Sequence, residues 1–276
     1  MNEPIKKNLN KTEEEIKNEF LLLKKLIDND EKHYSKLVEE SDKNRYCDIR
    51  PYIYNKVPLS NNNYINASFI NIPKKNFSIV TQGPLENTIE DFWQMIFDYN
   101  IKVIIMLCKL TENGKEKCFD YWNEENLSFD VQLIEEKKEN INLKIRKFKV
   151  SKRGKTKNII QYNFIGWNDH NVPLVNEIFD VFINMFKLID IFKGNYPFVM
   201  HCSAGVGRTG TFITLYILYK EIEWQVNSSD IKFNIFNLVR KLKEMRMYLV
   251  ENITQYLFLY SFMERMIYYF QNKIKK

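Results

Sequence analysis

Residues 199–210 read Val-Met-His-Cys-Ser-Ala-Gly-Val-Gly-Arg-Thr-Gly, and two of them can do chemistry on an anion. Cys202 supplies a sulfur nucleophile. Arg208, in Cys-x5-Arg spacing, supplies a planar fork of donors that fits two oxygens of one phosphate. The residues between, Ser203, Ala204, Gly205, Val206 and Gly207, are small enough for a loop whose backbone N–H groups converge on an oxyanion. A helix beginning after them would add the positive end of its dipole. The same field favours a thiolate: lowering a cysteine pKa from about 8.5 to about 5 takes roughly 5 kcal/mol of differential stabilisation. Such a thiolate attacks phosphorus directly while Arg208 and the amides hold the equatorial oxygens, without a metal. A Cys-x5-Arg alone also fits a buried structural cysteine beside a glycine-rich turn. His201 before it and Thr209-Gly210 after it weigh against that reading.

These residues need a strand to deliver them and a helix to receive them. An apolar run at 198–201 is the strand, and a pattern at 211–224, apolar almost all round, is a buried helix. Further strand-length runs fall at 77–81, 103–108, 129–134, 143–150 and 159–164. Thr12 with Glu15 reads as a capping box opening an amphipathic helix through Phe20, Leu21, Leu23 and Ile27. Helical patterns follow at 90–97 and 175–192; one capped by Ser229 or Asp230 runs to about Met245, and a last one covers 254–270. Residues 46–66 read as loop, and the basic run 152–157 as a solvated hairpin tip. Alternating strands and helices early, then helices alone, predict an α/β fold: one domain, a mixed sheet flanked by helices.

The chain has 276 residues, 45% hydrophobic and 28% charged, which excludes a disordered or collagenous protein. With Gly 8 and Pro 7 there is no linker-like segment to divide it. The net charge of +6 suits an anionic partner of any kind, but the basic residues are interspersed with acids and form no stripe, so no nucleic-acid partner is expected. Cys47, Cys108, Cys118 and Cys202 are scattered, without metal-ligand spacing to the three histidines, so no metal and no cofactor are expected. No apolar leader opens the chain and no apolar run reaches the roughly 18 residues of a membrane span. The expectation is a cytoplasmic protein in a reducing compartment, without stable membrane insertion, and a monomer.

The stretch from His201 to Gly210 resembles the signature loop of the tyrosine-specific, classical-type protein tyrosine phosphatases. Other segments resemble that family's motifs in the family's order: Lys43-Asn44-Arg45-Tyr46, Asn63-Tyr64-Ile65-Asn66-Ala67-Ser68, Thr81-Gln82-Gly83-Pro84, Phe92-Trp93-Gln94-Met95 and Lys117-Cys118 before Tyr121-Trp122. The resemblance implies a cysteine-phosphatase type of fold, its twisted sheet carrying a catalytic domain at 41–276 behind a helical extension at 1–40 that packs on it. It makes Cys202 the nucleophile, Arg208 the phosphate clamp and Thr209 the hydroxyl that eases departure of the thiolate. Tyr46 and Ile49 would grip the phenyl ring and Asp48 the substrate backbone. Glu112 would orient the arginine, with His201, Lys117 and Trp167 in support. A cysteine one ring-depth below the surface is reachable by phosphotyrosine and not by the shorter phosphoserine.

The general acid implied is Asp169, in Trp167-Asn168-Asp169-His170-Asn171-Val172-Pro173, which resembles the family's mobile Trp-Pro-Asp loop. Asn168 replaces the usual proline, which should free the loop and alter its closing equilibrium. A second departure lies in the stretch from Arg246 to Phe258, similar to the family's glutamine loop. Gln255 keeps one glutamine, and Glu251 stands where the first, water-positioning one is expected. A carboxylate there either repels the phosphate dianion, acts as a base toward water, or points to solvent. The activity implied is hydrolysis of phosphotyrosine in proteins through a phosphocysteine. Two alternatives stay open: a catalytically weak relative that only binds phosphotyrosine, and a broad-specificity or phosphoinositide phosphatase.

Overall fold

The computed structural model describes residues 9–28, 37–38, 41–72, 76–124, 127–167, 171–225 and 231–274. Its centre is three short parallel strands, β2 (Asn76–Thr81), β9 (Val199–His201) and β3 (Val103–Met106), with β9 in the middle. All residues of β9 and β3 are buried, as expected of strands covered on both faces, whose sequences run continuously apolar. Among the described residues seven strands form one mixed, twisted sheet in the order β1-β2-β9-β3-β8-β7-β6. β1 (Ala67–Ile72) joins β2 antiparallel at one edge. On the other side β8 (Lys155–Phe164) runs parallel to β3, and β7 (Leu143–Lys152) and β6 (Asp130–Asn140) continue antiparallel from it. Arg153 and Gly154, with φ of 48° and 75°, make the two-residue turn between β7 and β8, the left-handed pair that a tight hairpin requires.

Helices cover the sheet, giving the α/β architecture expected. They are α1 (Glu13–Asp28), α2 (Ile89–Asp98), α3 (Val175–Lys193), α4 (Gly207–Gln225), α5 (Ile235–Met245) and α6 (Ile253–Ile274). α1 opens on the Thr12 capping box: Thr12 N donates to Glu15 Oε2 at 2.7 Å and Glu15 N to Thr12 Oγ1 at 3.2 Å. It lies against α5 and α6, burying Ile16 and Leu23. α4 is buried from Gly207 through Tyr219, which is why its sequence shows no polar face.

α4 starts at Gly207, ahead of the apolar stretch at 211–224, so its N-terminus abuts the glycine-rich loop as expected. Several expectations need correction. α5 is capped by Asn234, whose side chain accepts from Asn237 N at 2.8 Å; Ser229 and Asp230 lie outside the described residues. β1 extends the loop-rich segment as a strand, its mixed sequence Ala-Ser-Phe-Ile-Asn-Ile hidden by a polar surround. The basic hairpin is not simply solvated: Lys152 Nζ lies 3.8 Å from the Phe129 ring centroid and donates to Gln94 Oε1 at 2.7 Å. Lys157 Nζ donates to the Phe97 carbonyl at 2.8 Å, and burial lowers its pKa. The ammonium groups of both lysines lie over aromatic faces, Lys157 Nζ being 4.8 Å from the Phe97 centroid, and each also donates to a carbonyl oxygen.

Candidate active site

The loop after β9 is held from outside by its carbonyls. Gly83 N donates to Ser203 O at 2.8 Å, and Arg246 donates to Ala204 O at 3.1 Å and Gly205 O at 3.0 Å. Gly210 N and Val250 N donate to Val206 O at 2.9 and 3.3 Å. In a trans peptide the N–H points opposite to the C=O, so the amides of Ala204, Gly205, Val206 and Gly207 are turned toward the interior of the loop. Gly205 makes this possible: its φ is 71°, and a Cβ there would lie 2.1 Å from the Thr81 carbonyl.

Cys202 is 5% exposed, at the base of a cavity of about 220 Å³ that also touches Arg208, Tyr46 and Gln255. Arg208 meets Glu112 in a bidentate pair, NH1 to Oε1 at 2.7 Å and NH2 to Oε2 at 2.6 Å, and NH1 also donates to Leu107 O at 3.1 Å. Burial works against the guanidinium charge, but the Glu112 carboxylate and the Cys202 sulfur outweigh it and raise its pKa above the ordinary value. Glu112 is aimed by a tight hairpin unforeseen in the sequence, β4 (Thr111–Glu112) and β5 (Lys115–Glu116), joined by Asn113-Gly114 with φ of 50° and 73°. Asn-Gly between two extended residues is a strong hairpin signal, so this element was legible in principle.

His201 is fully buried, and desolvation pulls its pKa down to about 4 despite its bond to the Cys202 carbonyl. The ring is therefore neutral. Nδ1 lies 3.1 Å from Cys202 O, an acceptor, which makes Nδ1 the protonated nitrogen and assigns Nε2 as acceptor from the Tyr121 hydroxyl at 3.1 Å. Tyr121 in turn accepts from Gln161 Nε2 at 2.6 Å, and Gln161 Oε1 accepts from Arg146 at 2.5 Å. Thr209 is fully buried, and its hydroxyl finds no hydrogen-bond partner among the described residues.

Tyr46 forms one wall of the cavity, with its hydroxyl 3.0 Å from Ser203 Oγ. The segment that carries it is fastened by Arg45, which donates to Gly83 O at 3.0 Å and Pro84 O at 2.7 Å, and by Lys43, paired with Asp91 at 2.7 Å. Ile49, Asp48 and Lys117 line the same cavity. Glu251 and Gln255 meet at its mouth: Glu251 N donates to Gln255 Oε1 at 2.9 Å. A Cβ on Gly207 would sit 2.6 Å from Glu251 Oε2 and 2.8 Å from Gln255 Nε2, so both side chains lie over the cradle. Glu251 is exposed yet turned toward the loop. Trp167 is buried, and its indole donates to Asn171 O at 2.8 Å. Asn168, Asp169 and His170 lie outside the described residues.

Two groups that organise the site had no role assigned from the sequence. Arg246 is fully buried; besides two loop carbonyls it bonds Asn66 Oδ1 at 2.8 Å and Ser68 Oγ at 3.3 Å, and burial lowers its pKa to about 10. Tyr121 is the other. The one signal for Arg246 was an arginine bracketed by methionines, ahead of an apolar run.

A cysteine at the floor of an amide cradle, leaving the carboxyl end of a central parallel strand and entering a helix, defines the cysteine-dependent phosphatase class of α/β proteins. Within that class the chain belongs to the protein-tyrosine phosphatase family, whose model matches residues 40–265. Tyrosine-protein phosphatase non-receptor type 20 of Rattus norvegicus is 38% identical over 92% of the chain and 62% of its own length. Phosphatidylinositol phosphatase PTPRQ of Rattus norvegicus is 36% identical over 79% of the chain and 10% of its own length. The chain thus spans about three fifths of the first relative and far less of the second. Among solved structures, the catalytic domain of human protein tyrosine phosphatase non-receptor type 18 superposes with a TM-score of 0.78 at 29% identity, covering 91% of this chain and 95% of that one. The same phosphatase in complex with HER2 phospho-peptides gives 0.82, covering 91% of this chain and 92% of that one, again at 29% identity.

Proposed function

We propose that this chain hydrolyses phosphotyrosine in proteins in two steps. In the first, the Cys202 thiolate attacks phosphorus, the P–O bond to the phenol breaks, and Asp169 donates the proton that the leaving oxygen takes. Arg208 and the loop amides hold the three equatorial oxygens throughout. In the second, Asp169, now a carboxylate, takes a proton from water as that water attacks phosphorus. The S–P bond breaks, inorganic phosphate leaves, and the Thr209 hydroxyl, without a partner among the described residues, donates to the departing sulfur. Gln255 and Glu251 border the position of that water.

The observation that carries the reading is the guanidinium of Arg208, fixed by the two hydrogen bonds it donates to Glu112 beside a buried Cys202. Support for phosphotyrosine comes from Tyr46 on the wall of a narrow cavity and from the phospho-peptide complexes of the non-receptor type 18 enzyme. A phosphoinositide carries additional phosphates and would call for lysines in the loop, where this chain has Ala204 and Val206. Residues 41–276 would be the catalytic domain, residues 1–40 an extension packed on it, and the protein a cytoplasmic monomer. Among the described residues no helix is long and apolar enough to cross a membrane.

Para-nitrophenyl phosphate turnover tests the proposal. Cys202→Ser should abolish it and Asp169→Ala should lower it by about 10²-fold or more. A wild-type protein that binds phosphotyrosine peptide without multiple turnover would make it a binding module instead.

A further inference from the structure

The helix that carries Gln255 is braced from behind by the N-terminal helix, and the brace converges on one carboxylate. Glu19 Oε2 accepts from the hydroxyls of Tyr256 at 3.1 Å and Tyr260 at 2.5 Å, while Glu19 Oε1 accepts from the ammonium of Lys11. The tyrosines stand one turn apart on α6 with ring centroids 5.6 Å apart, and Phe20 packs on Tyr256 at 5.5 Å. Burial raises the pKa of both phenols, helped at Tyr256 by Tyr260 and then Glu19 and at Tyr260 by the hydrogen bond to Glu19, so both remain protonated donors.

Tyr256 directly follows Gln255 in the first turn of α6. Two local bonds fix that turn to the chain entering it: Gln255 N donates to Asn252 Oδ1 at 2.9 Å, and Glu251 N donates to Gln255 Oε1 at 2.9 Å. The turn is also held by the Tyr256–Glu19 bond. A first turn lacks most intrahelical bonds for its N–H groups, so its rotation depends on such outside contacts. Rotating it moves the Gln255 amide along the cradle, where it already lies against Gly207.

We propose that Glu19 is a positioning residue for the second step: through Tyr256 it fixes the α6 first turn and hence the place of the Gln255 amide beside the phosphocysteine. The proposal rests on the phosphatase reading above. Because both tyrosines bond the same oxygen, a glutamine at position 19 can offer its amide oxygen there and leave Lys11 to solvent. An alanine cannot.

Stopped-flow kinetics with para-nitrophenyl phosphate, rapid-quench trapping of the phosphocysteine and thermal melts on Glu19→Ala, Glu19→Gln, Tyr256→Phe and Tyr260→Phe test this. Glu19→Ala should slow hydrolysis of the phosphocysteine about threefold to tenfold and raise its steady-state occupancy, with its rate of formation unchanged. Tyr256→Phe should reproduce that pattern. Glu19→Gln and Tyr260→Phe should stay within about twofold of wild type. A lowered Tm in Glu19→Ala with both steps unchanged per active site overturns the proposal, since that is what a purely structural brace would give. Equal slowing of both steps, or Tyr256→Phe behaving as wild type, overturns it too. A wild-type protein that forms no phosphocysteine sinks the phosphatase reading and this proposal with it. A wild type that turns over, with an unaltered Glu19→Ala, sinks this one alone.

Discussion

At the scale of single residues, a carboxylate at the mouth and a neutral imidazole behind the floor shape the electrostatics of the site. Glu251 places a carboxylate over a loop built to attract anions, where the resemblance to the family's glutamine loop leads one to expect a glutamine. Glu251→Gln should therefore accelerate the post-burst phase of stopped-flow turnover by removing repulsion of the phosphocysteine. An unchanged phase would leave Glu251 a rim residue. At the floor, His201 has its pKa lowered to about 4, against about 6.5 for an unfolded chain. The unfolded state thus takes up a proton that the folded state refuses. The sign follows: stability is full above about pH 6.5 and is lost as pH falls toward about 4, by about 3 kcal/mol in total. Urea unfolding at pH 7 and pH 4.5 measures the loss, and His201→Gln should remove its share of the slope.

At the scale of elements, short pieces with special backbone geometry do the positioning. Gly205 lets the loop turn at φ 71°, and the Asn113-Gly114 turn presents Glu112 to Arg208. Gly114 has open space around it, so a side chain there meets no neighbour, but φ of 73° strains any β-branched residue. Gly114→Val should distort the hairpin, cost about 1–2 kcal/mol locally and lower kcat through a misaimed Arg208. Thermal melting beside kcat distinguishes this from global unfolding, since Tm should fall by only a few degrees. The long, strongly patterned elements were legible in the sequence: α1 with its capping box, α3, α4, α6 and the buried strands. Missing were β1, whose mixed sequence lacks alternation, and the two-residue strands β4 and β5, too short for any periodicity.

For the molecule as a whole, the net charge of +6 adds a diffuse attraction to the localised charge of Arg208. Association with an acidic phosphopeptide should weaken with salt, whereas a neutral one should respond little. A kcat/KM for the acidic peptide that falls several-fold between about 0.02 and 0.3 M salt, against a nearly flat neutral control, would show steering. Equal salt dependence would place the effect on Arg208 alone. The molecule also explains why an N-terminal helix outside the 40–265 family match matters: α1 buries Leu23 completely and reaches α6 through Glu19.

The sequence by itself determined the Cys202 and Arg208 spacing, the strand–loop–helix that joins those two residues and the family, because those depend on residues close together in the chain. It could not decide what holds the loop from outside. Arg246 on the Ala204 and Gly205 carbonyls, Tyr121 on His201, and Glu19 behind Tyr256 are contacts between distant segments. Their physical basis is burial: a polar group taken from water must find a partner, and only the packed fold brings that partner within reach.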